Sequence, residues 1–185
     1  MKKLFLLGLV SLGIVGLSGC DMINKYVDVE MPYTYESFLD LMADRDFSHS
    51  FVSCEVTHTT SGDTENTSTT TVYNYDAATD KWMNENGSSY MSNITVKDEL
   101  KIYVQLFGKD DIKCYASNSS YKSEGKMQEE RHQTVINGQT YVSNAYIFES
   151  VSKYEAHGLV SSATTTYKDL DEGTVTKNTY TYTYK

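Results

Sequence analysis

The segment Thr179-Tyr180-Thr181-Tyr182-Thr183-Tyr184 alternates two residue types without interruption. Successive side chains of an extended strand point to opposite faces. This segment therefore puts three tyrosines on one face of a sheet and three threonines on the other. Both residue types favour strands, and a helix would scatter them around its whole surface. The same period recurs upstream. Val52, Cys54 and Val56 oppose Ser53, Glu55 and Thr57, and Tyr73 and Tyr75 share a face in a Thr-rich run at 67–76. A chain with this pattern is organised around an antiparallel sheet whose two faces differ in chemistry.

Helical spacing appears twice against this background. Tyr35, Phe38, Leu39 and Met42 fall at i, i+3, i+4 and i+7 behind Thr34, which predicts a helix over about 35–44. Val96, Leu100, Tyr103 and Phe107 repeat the pattern, with Thr95 or Asp98 to begin it and Gly108 at the C-cap position. Period-two segments predict strands at 50–60, 67–76, 81–83, 111–117, 127–136, 139–149, 159–168 and 174–184. Turn compositions separate them at 61–66, 76–80 and 171–173, and Asn137-Gly138 is the strongest hairpin signal. The expected fold is α+β over residues 32–185. It is a mainly antiparallel curved β-sheet, half-barrel-like, with two short helices packed on one face. A β-sandwich or a small closed barrel is compatible with the same period.

The first twenty residues carry a different signal. Lys2-Lys3 precede an uncharged, Leu-rich run from Leu4 to Leu17, too short for a membrane span of about 20 residues. The run ends in Leu17-Ser18-Gly19-Cys20, which resembles the lipobox of bacterial lipoproteins. The resemblance implies a cleaved signal peptide over 1–19 and a diacylglyceryl group on Cys20. Residues 20–31 then form the lipidated N-terminus and a short tether. Two acyl chains on one residue make a stable membrane anchor, and eleven extended residues reach at most about 35–40 Å. The expected location is the cell membrane or envelope, lipid-anchored, with the domain on the extracytoplasmic side.

Removing the leader changes the composition. The remaining 166 residues hold 14 basic and 25 acidic side chains, an acidity that excludes nucleic acid as a partner. Only 29 of them are Leu, Ile, Val or Phe, a fraction otherwise associated with disorder. All 16 tyrosines and 21 threonines lie in this part, so Tyr and Thr do the sheet-building. The order of elements over about 33–185 resembles the half-barrel of the lipoprotein-carrier family and the lipid-binding lipoproteins similar to it. That resemblance implies a ligand held in the concavity of the sheet.

Chemistry-bearing motifs are sparse. His49, His58, His132 and His157 form none of the short zinc-binding spacings. Asp169, Asp171 and Glu172 open like a calcium loop but lack its later acids, and a hairpin turn explains them. No nucleophile elbow, phosphate-binding glycine loop or CxxC is present, so neither a catalytic residue nor a cofactor or metal site is assigned. Cys54 and Cys114 are an even pair in an exported chain, which permits a disulfide; two small buried hydrophobes are the alternative. Tyr180, Tyr182 and Tyr184 are the candidate ligand-contact face, because tyrosines bury large area yet keep a polar tip. The expected function is non-enzymatic binding of an amphipathic or hydrophobic ligand at the envelope. The alternative is an envelope interaction or structural protein that uses an exposed sheet face on a protein partner.

Overall fold

The Tyr–Thr segment forms a strand in the interior of the sheet rather than at its edge. The computed structural model describes residues 30–45, 47–63, 66–88, 90–91 and 94–185. Cys20 and the leader lie outside these residues. In chain order the elements are β1 (Met31–Tyr33), α1 (Tyr35–Ala43), β2 (Ser53–Gly62), β3 (Asn66–Asp76), β4 (Lys81–Asn84), β5 (Tyr90–Met91) and α2 (Val96–Phe107). There follow β6 (Ile112–Ala116), β7 (Ser120–Glu129), β8 (His132–Ile136), β9 (Gln139–Ser143), β10 (Tyr146–Glu155), β11 (Val160–Asp169) and β12 (Val175–Tyr184). Every described element thus falls within residues 31–184. Ten strands form one antiparallel sheet in the order β1-β6-β7-β10-β11-β12-β2-β3-β4-β5, and β8 and β9 form a separate ribbon. The fold is α+β and mainly antiparallel, and the large sheet stays open instead of closing into a barrel.

Two meanders meet at one ladder. β12 pairs with β2 from Thr176 opposite Gly62 to Tyr184 opposite Cys54. Directly opposed residues share a face, so the ladder sorts the alternating segment. Tyr180 lies between Ala163 and His58, Tyr182 beside Val56, and Tyr184 beside Cys54, itself opposite Tyr73. The threonines take the other face, where hydroxyls meet across strands: Thr57 with Thr70 at 3.2 Å and Thr164 with Thr179 at 3.4 Å. Cross-strand pairs of this kind each contribute roughly 0.2–1 kcal/mol.

Both helices lie on the tyrosine-bearing face. In α1, Thr34 caps the first turn by accepting from the Ser37 N–H at 3.3 Å, and Phe38 and Met42 are fully buried. In α2, the Thr95 hydroxyl accepts from the Asp98 N–H and donates to the Asp98 carboxylate at 2.7 Å. Val96, Leu100, Tyr103 and Phe107 point at the sheet, as their spacing predicts. α1 packs on β1 and β6, and α2 on β6 and β7. The core between them mixes aliphatics such as Ile94, Val96, Leu100 and Val160 with the rings of Phe38, Trp82, Tyr103, Tyr121 and Tyr154. The rings add large buried area to a chain with few Leu and Ile overall.

The strand boundaries between 117 and 155 differ from those expected. The segments 127–136 and 139–149 are not two long strands. β7 and β10 pair directly, from Tyr146 opposite Glu129 to Glu155 opposite Ser120, and β8–β9 is a hairpin inserted between them. The buried face of β7 consists of Tyr121, Ser123 and Gly125. It carries no aliphatic side chain, so the hydrophobic period that marks a strand is missing from its sequence. The Asn137-Gly138 turn is where it was expected, with φ of +52° and +79° as a type I′ hairpin requires.

Gly125 has a packing reason. A Cβ there would overlap the ring of Phe107, which lies flat against the β7 backbone and stacks on Phe148 at 5.9 Å. Gly125→Ala is expected to force that ring out of place and lower stability by about 1–3 kcal/mol. A denaturant titration monitored by circular dichroism measures this, and an unchanged midpoint would refute the packing argument.

Candidate functional site

The helices cover only part of their face of the sheet. Burial fades along β2 from Cys54, fully buried, through Val56 at the margin of the core, to His58 and Thr60, which are half-exposed. β12 lies beside it, and Tyr182 and Tyr180 are likewise half-exposed. Beyond the edge of α2 the floor is therefore only partly buried. One row of opposed residues crosses it: Ser152 on β10, Ala163 on β11, Tyr180 on β12 and His58 on β2. At about 4.8 Å per strand, the small Ala163 leaves a low step between Ser152 and the ring of Tyr180. The result is an open bay with α2 as its wall.

The far side of this bay is fixed by stacking and hydrogen bonds. The His58 ring lies parallel to Tyr180 at 4.3 Å. Its Nε2 stands 3.2 Å from Asn178 Oδ1, to which the Thr60 hydroxyl also donates at 2.8 Å. The Thr60 hydroxyl also lies 3.3 Å from that Nε2.

The wall is set by Glu99. It lies three residues after Val96 and four before Tyr103, on the flank of the stripe that α2 presents to the sheet. The Ser152 hydroxyl donates to Glu99 Oε1 at 2.6 Å. Ser152 also meets the Tyr103 hydroxyl at 3.1 Å, Tyr103 meets Ser150 at 2.9 Å, and Ser123 meets Tyr154 at 3.0 Å. These contacts satisfy the buried hydroxyls beneath α2. Among the described residues, no Lys, Arg or His forms an ion pair with Glu99. Burial raises its pKa, with the Ser152 and Tyr154 hydroxyls opposing the shift. Its charge is felt across the bay, where burial first and Glu99 second push the Tyr182 phenol far above its ordinary value.

Charge is divided between the two sides of the sheet. All seven strand lysines, from Lys81 to Lys177, fall on the face away from the helices. Two of them pair with acids there, Lys126 with Glu149 at 2.7 Å and Lys122 with Glu124 at 3.3 Å. The helix-bearing face has no strand lysine or arginine.

Of the three tyrosines expected to form a contact face, Tyr180 and Tyr182 line the bay. Tyr184 belongs to an aromatic cluster at one end of it. Its hydroxyl donates to the Val160 carbonyl at 2.7 Å, and its ring packs on Phe51, Trp82 and His157. His49 completes that cluster, between Phe51, Tyr75 and Trp82, with a buried Nδ1 that has no partner. His58 and Glu99 were not singled out from the sequence. Glu99 had a signal, since its spacing from Val96 and Tyr103 places it beside the apolar stripe of α2. His58 had none beyond its place on a strand.

Cys54 and Cys114 are both buried and free. They lie on β2 and β6, separated by four strands, so the bridge that the sequence permits is absent. Desolvation pushes their thiols up to about 11 and about 12, which leaves them inert as nucleophiles at neutral pH. Asp169 organises the β11–β12 turn, accepting from the Asp171 and Glu172 N–H groups and from the Asn144 amide. Among the described residues, no group of His, Cys, Asp and Glu converges as a metal site. The side chains that the bay brings together are stacked rings, hydroxyls and one carboxylate. Comparison with known proteins finds no family model that fits the chain and no curated protein or solved structure that matches it.

A carboxyl whose pKa is raised by folding favours the protonated form in the native state. Ionised Glu99 therefore costs stability above the unfolded carboxyl pKa, and the cost disappears as pH falls through that range. Glu99→Gln keeps an acceptor for Ser152 and is expected to melt above the parent at pH 7, with the difference closing toward pH 4. Thermal melts of both proteins across this range provide the check; a variant less stable at pH 7 would contradict the desolvation argument.

Proposed function

We propose that this chain is a membrane-anchored bacterial lipoprotein that binds an amphipathic or hydrophobic ligand in the bay beside α2, without catalysing a reaction. The observation that carries the reading is the partly buried row of Ala163, Tyr180 and His58, which lies on the helix-bearing face beyond the strands that α2 covers. Rings left partly exposed on one face of a sheet offer a surface for a contact. The wall adds apolar area: Ile102 and Leu106 follow Glu99 at i+3 and i+7, and Leu106 is 48% exposed. The lipobox-like Leu17-Ser18-Gly19-Cys20 supports the anchor.

A specific observation favours a second reading, that of a protein-interaction module. The β8–β9 hairpin stands apart from the main sheet, with Val135 63%, Ile136 53%, Tyr141 52% and Val142 51% exposed. Two-stranded ribbons are marginal alone, and apolar side chains on both faces of one suit burial against another protein. Crosslinking in cells from Tyr141 to one stoichiometric partner would favour this reading.

The leading proposal is tested in two forms of the protein. The full chain expressed in bacteria is expected to incorporate labelled fatty acid, and Cys20→Ala to lose the label. A chain starting at residue 21, which contains every described element, is expected to carry co-purified lipid detectable by mass spectrometry after solvent extraction. Normal labelling of Cys20→Ala would remove the anchor from the proposal, and a lipid-free domain that takes up no added amphiphile would remove the ligand.

A further inference from the structure

The bay has one polar group whose surroundings call for a particular counterpart. Glu99 stands at its inner end, desolvated, held by Ser152 and without a cation among the described residues. On the outer face Lys122 pairs with Glu124 and Lys126 with Glu149, and the strands carry seven lysines in all. Every one of them is on the opposite face of the sheet. A half-buried carboxylate facing a floor with no fixed positive charge attracts a mobile one, because Coulomb attraction strengthens as water is excluded. Tyr180 and Tyr182 flank the same space, and aromatic faces also favour ammonium groups. Beyond Glu99 the wall turns apolar at Ile102 and Leu106, about 4.5 and 10.5 Å further along the helix axis at its standard rise.

We infer that the bay selects an amphipathic cation, its ammonium head between Glu99 and the ring of Tyr180 and its hydrocarbon tail lying along Ile102 and Leu106. An anionic amphiphile is disfavoured by the same carboxylate. A neutral one gains only the apolar contacts. The inference rests on the reading of the bay as a ligand site and adds to it the charge of the head group.

The test uses three probes of equal chain length, all below their micelle concentrations: decylammonium, decyl maltoside and decanoate. Each is titrated into the chain starting at residue 21 at fixed ionic strength, with binding followed by calorimetry and located by backbone amide shifts. Decylammonium is expected to bind about tenfold more tightly than decyl maltoside, as one added charge-assisted contact allows, and decanoate weakest of all. Shifts should centre on 99–106, Ala163 and Tyr180. Glu99→Gln should lose the tenfold advantage and keep its maltoside affinity within twofold. Glu149→Gln, on the outer face, should change neither; it controls for attraction to a protein of net negative charge.

Equal binding of decylammonium and maltoside by the parent chain, or a preference that survives Glu99→Gln, would overturn the inference and leave the ligand-binding reading in place. Absence of binding by all three probes would overturn both. The parent chain's selectivity and shift map decide the matter even if Glu99→Gln does not fold.

Discussion

The pairing of β12 with β2 is the constraint on which the rest depends. It joins two meanders that would otherwise be separate sheets, and it sets which way every neighbouring side chain faces. A slip of one residue would turn Tyr180, Tyr182 and Tyr184 to the solvent face and carry the threonines onto the core. The alternation tolerates no intermediate arrangement, because each residue type suits only one side. Tyrosine can line a half-wet surface beside the helices, whereas threonine hydroxyls pair across strands in water.

Given that ladder, the position of α2 determines where the sheet is solid and where it is open. The helix seats over β6 and β7 because Gly125 admits the Phe107 ring and because Tyr103 reaches Ser150 and Ser152. Those polar contacts add to the aliphatic packing of Val96 and Leu100 beneath the same helix. Seated there, α2 stops short of the outer half of β11, β12 and β2, and its flank brings Glu99 to the margin. The open bay and the location of its carboxylate are thus consequences of how one helix is held.

Much of this was legible in the sequence where each residue's period agreed with its environment. Both helices followed from Phe38 and Met42 and from Val96, Leu100, Tyr103 and Phe107, with Thr34 and Thr95 as caps. β12 and the Asn137-Gly138 turn were equally plain. β7 was not, because its inward residues are Tyr121, Ser123 and Gly125, whose roles as hydroxyl partner and ring seat exist only once α2 is in place. The candidate site was half legible. Tyr180 and Tyr182 share a strand face by local geometry alone. Their association with His58 and Glu99 depends on contacts more than 50 residues apart, Tyr180 with His58 and Ser152 with Glu99, which no local pattern encodes. Tyr184, identical in pattern, is drawn into packing by Trp82 and Phe51, both remote in sequence.

The central ladder also has a kinetic meaning. β2 finds its partner about 120 residues later in the chain, and contacts of such separation form slowly because a long loop must close before they are rewarded. Until β12 is made, β2 presents an unsatisfied edge on one side, and the first meander remains an incomplete sheet. The sheet is completed only once residues as far as Tyr184 are available to pair with Cys54, so the same ladder that orients every side chain of the sheet is also among the last parts of it that can form.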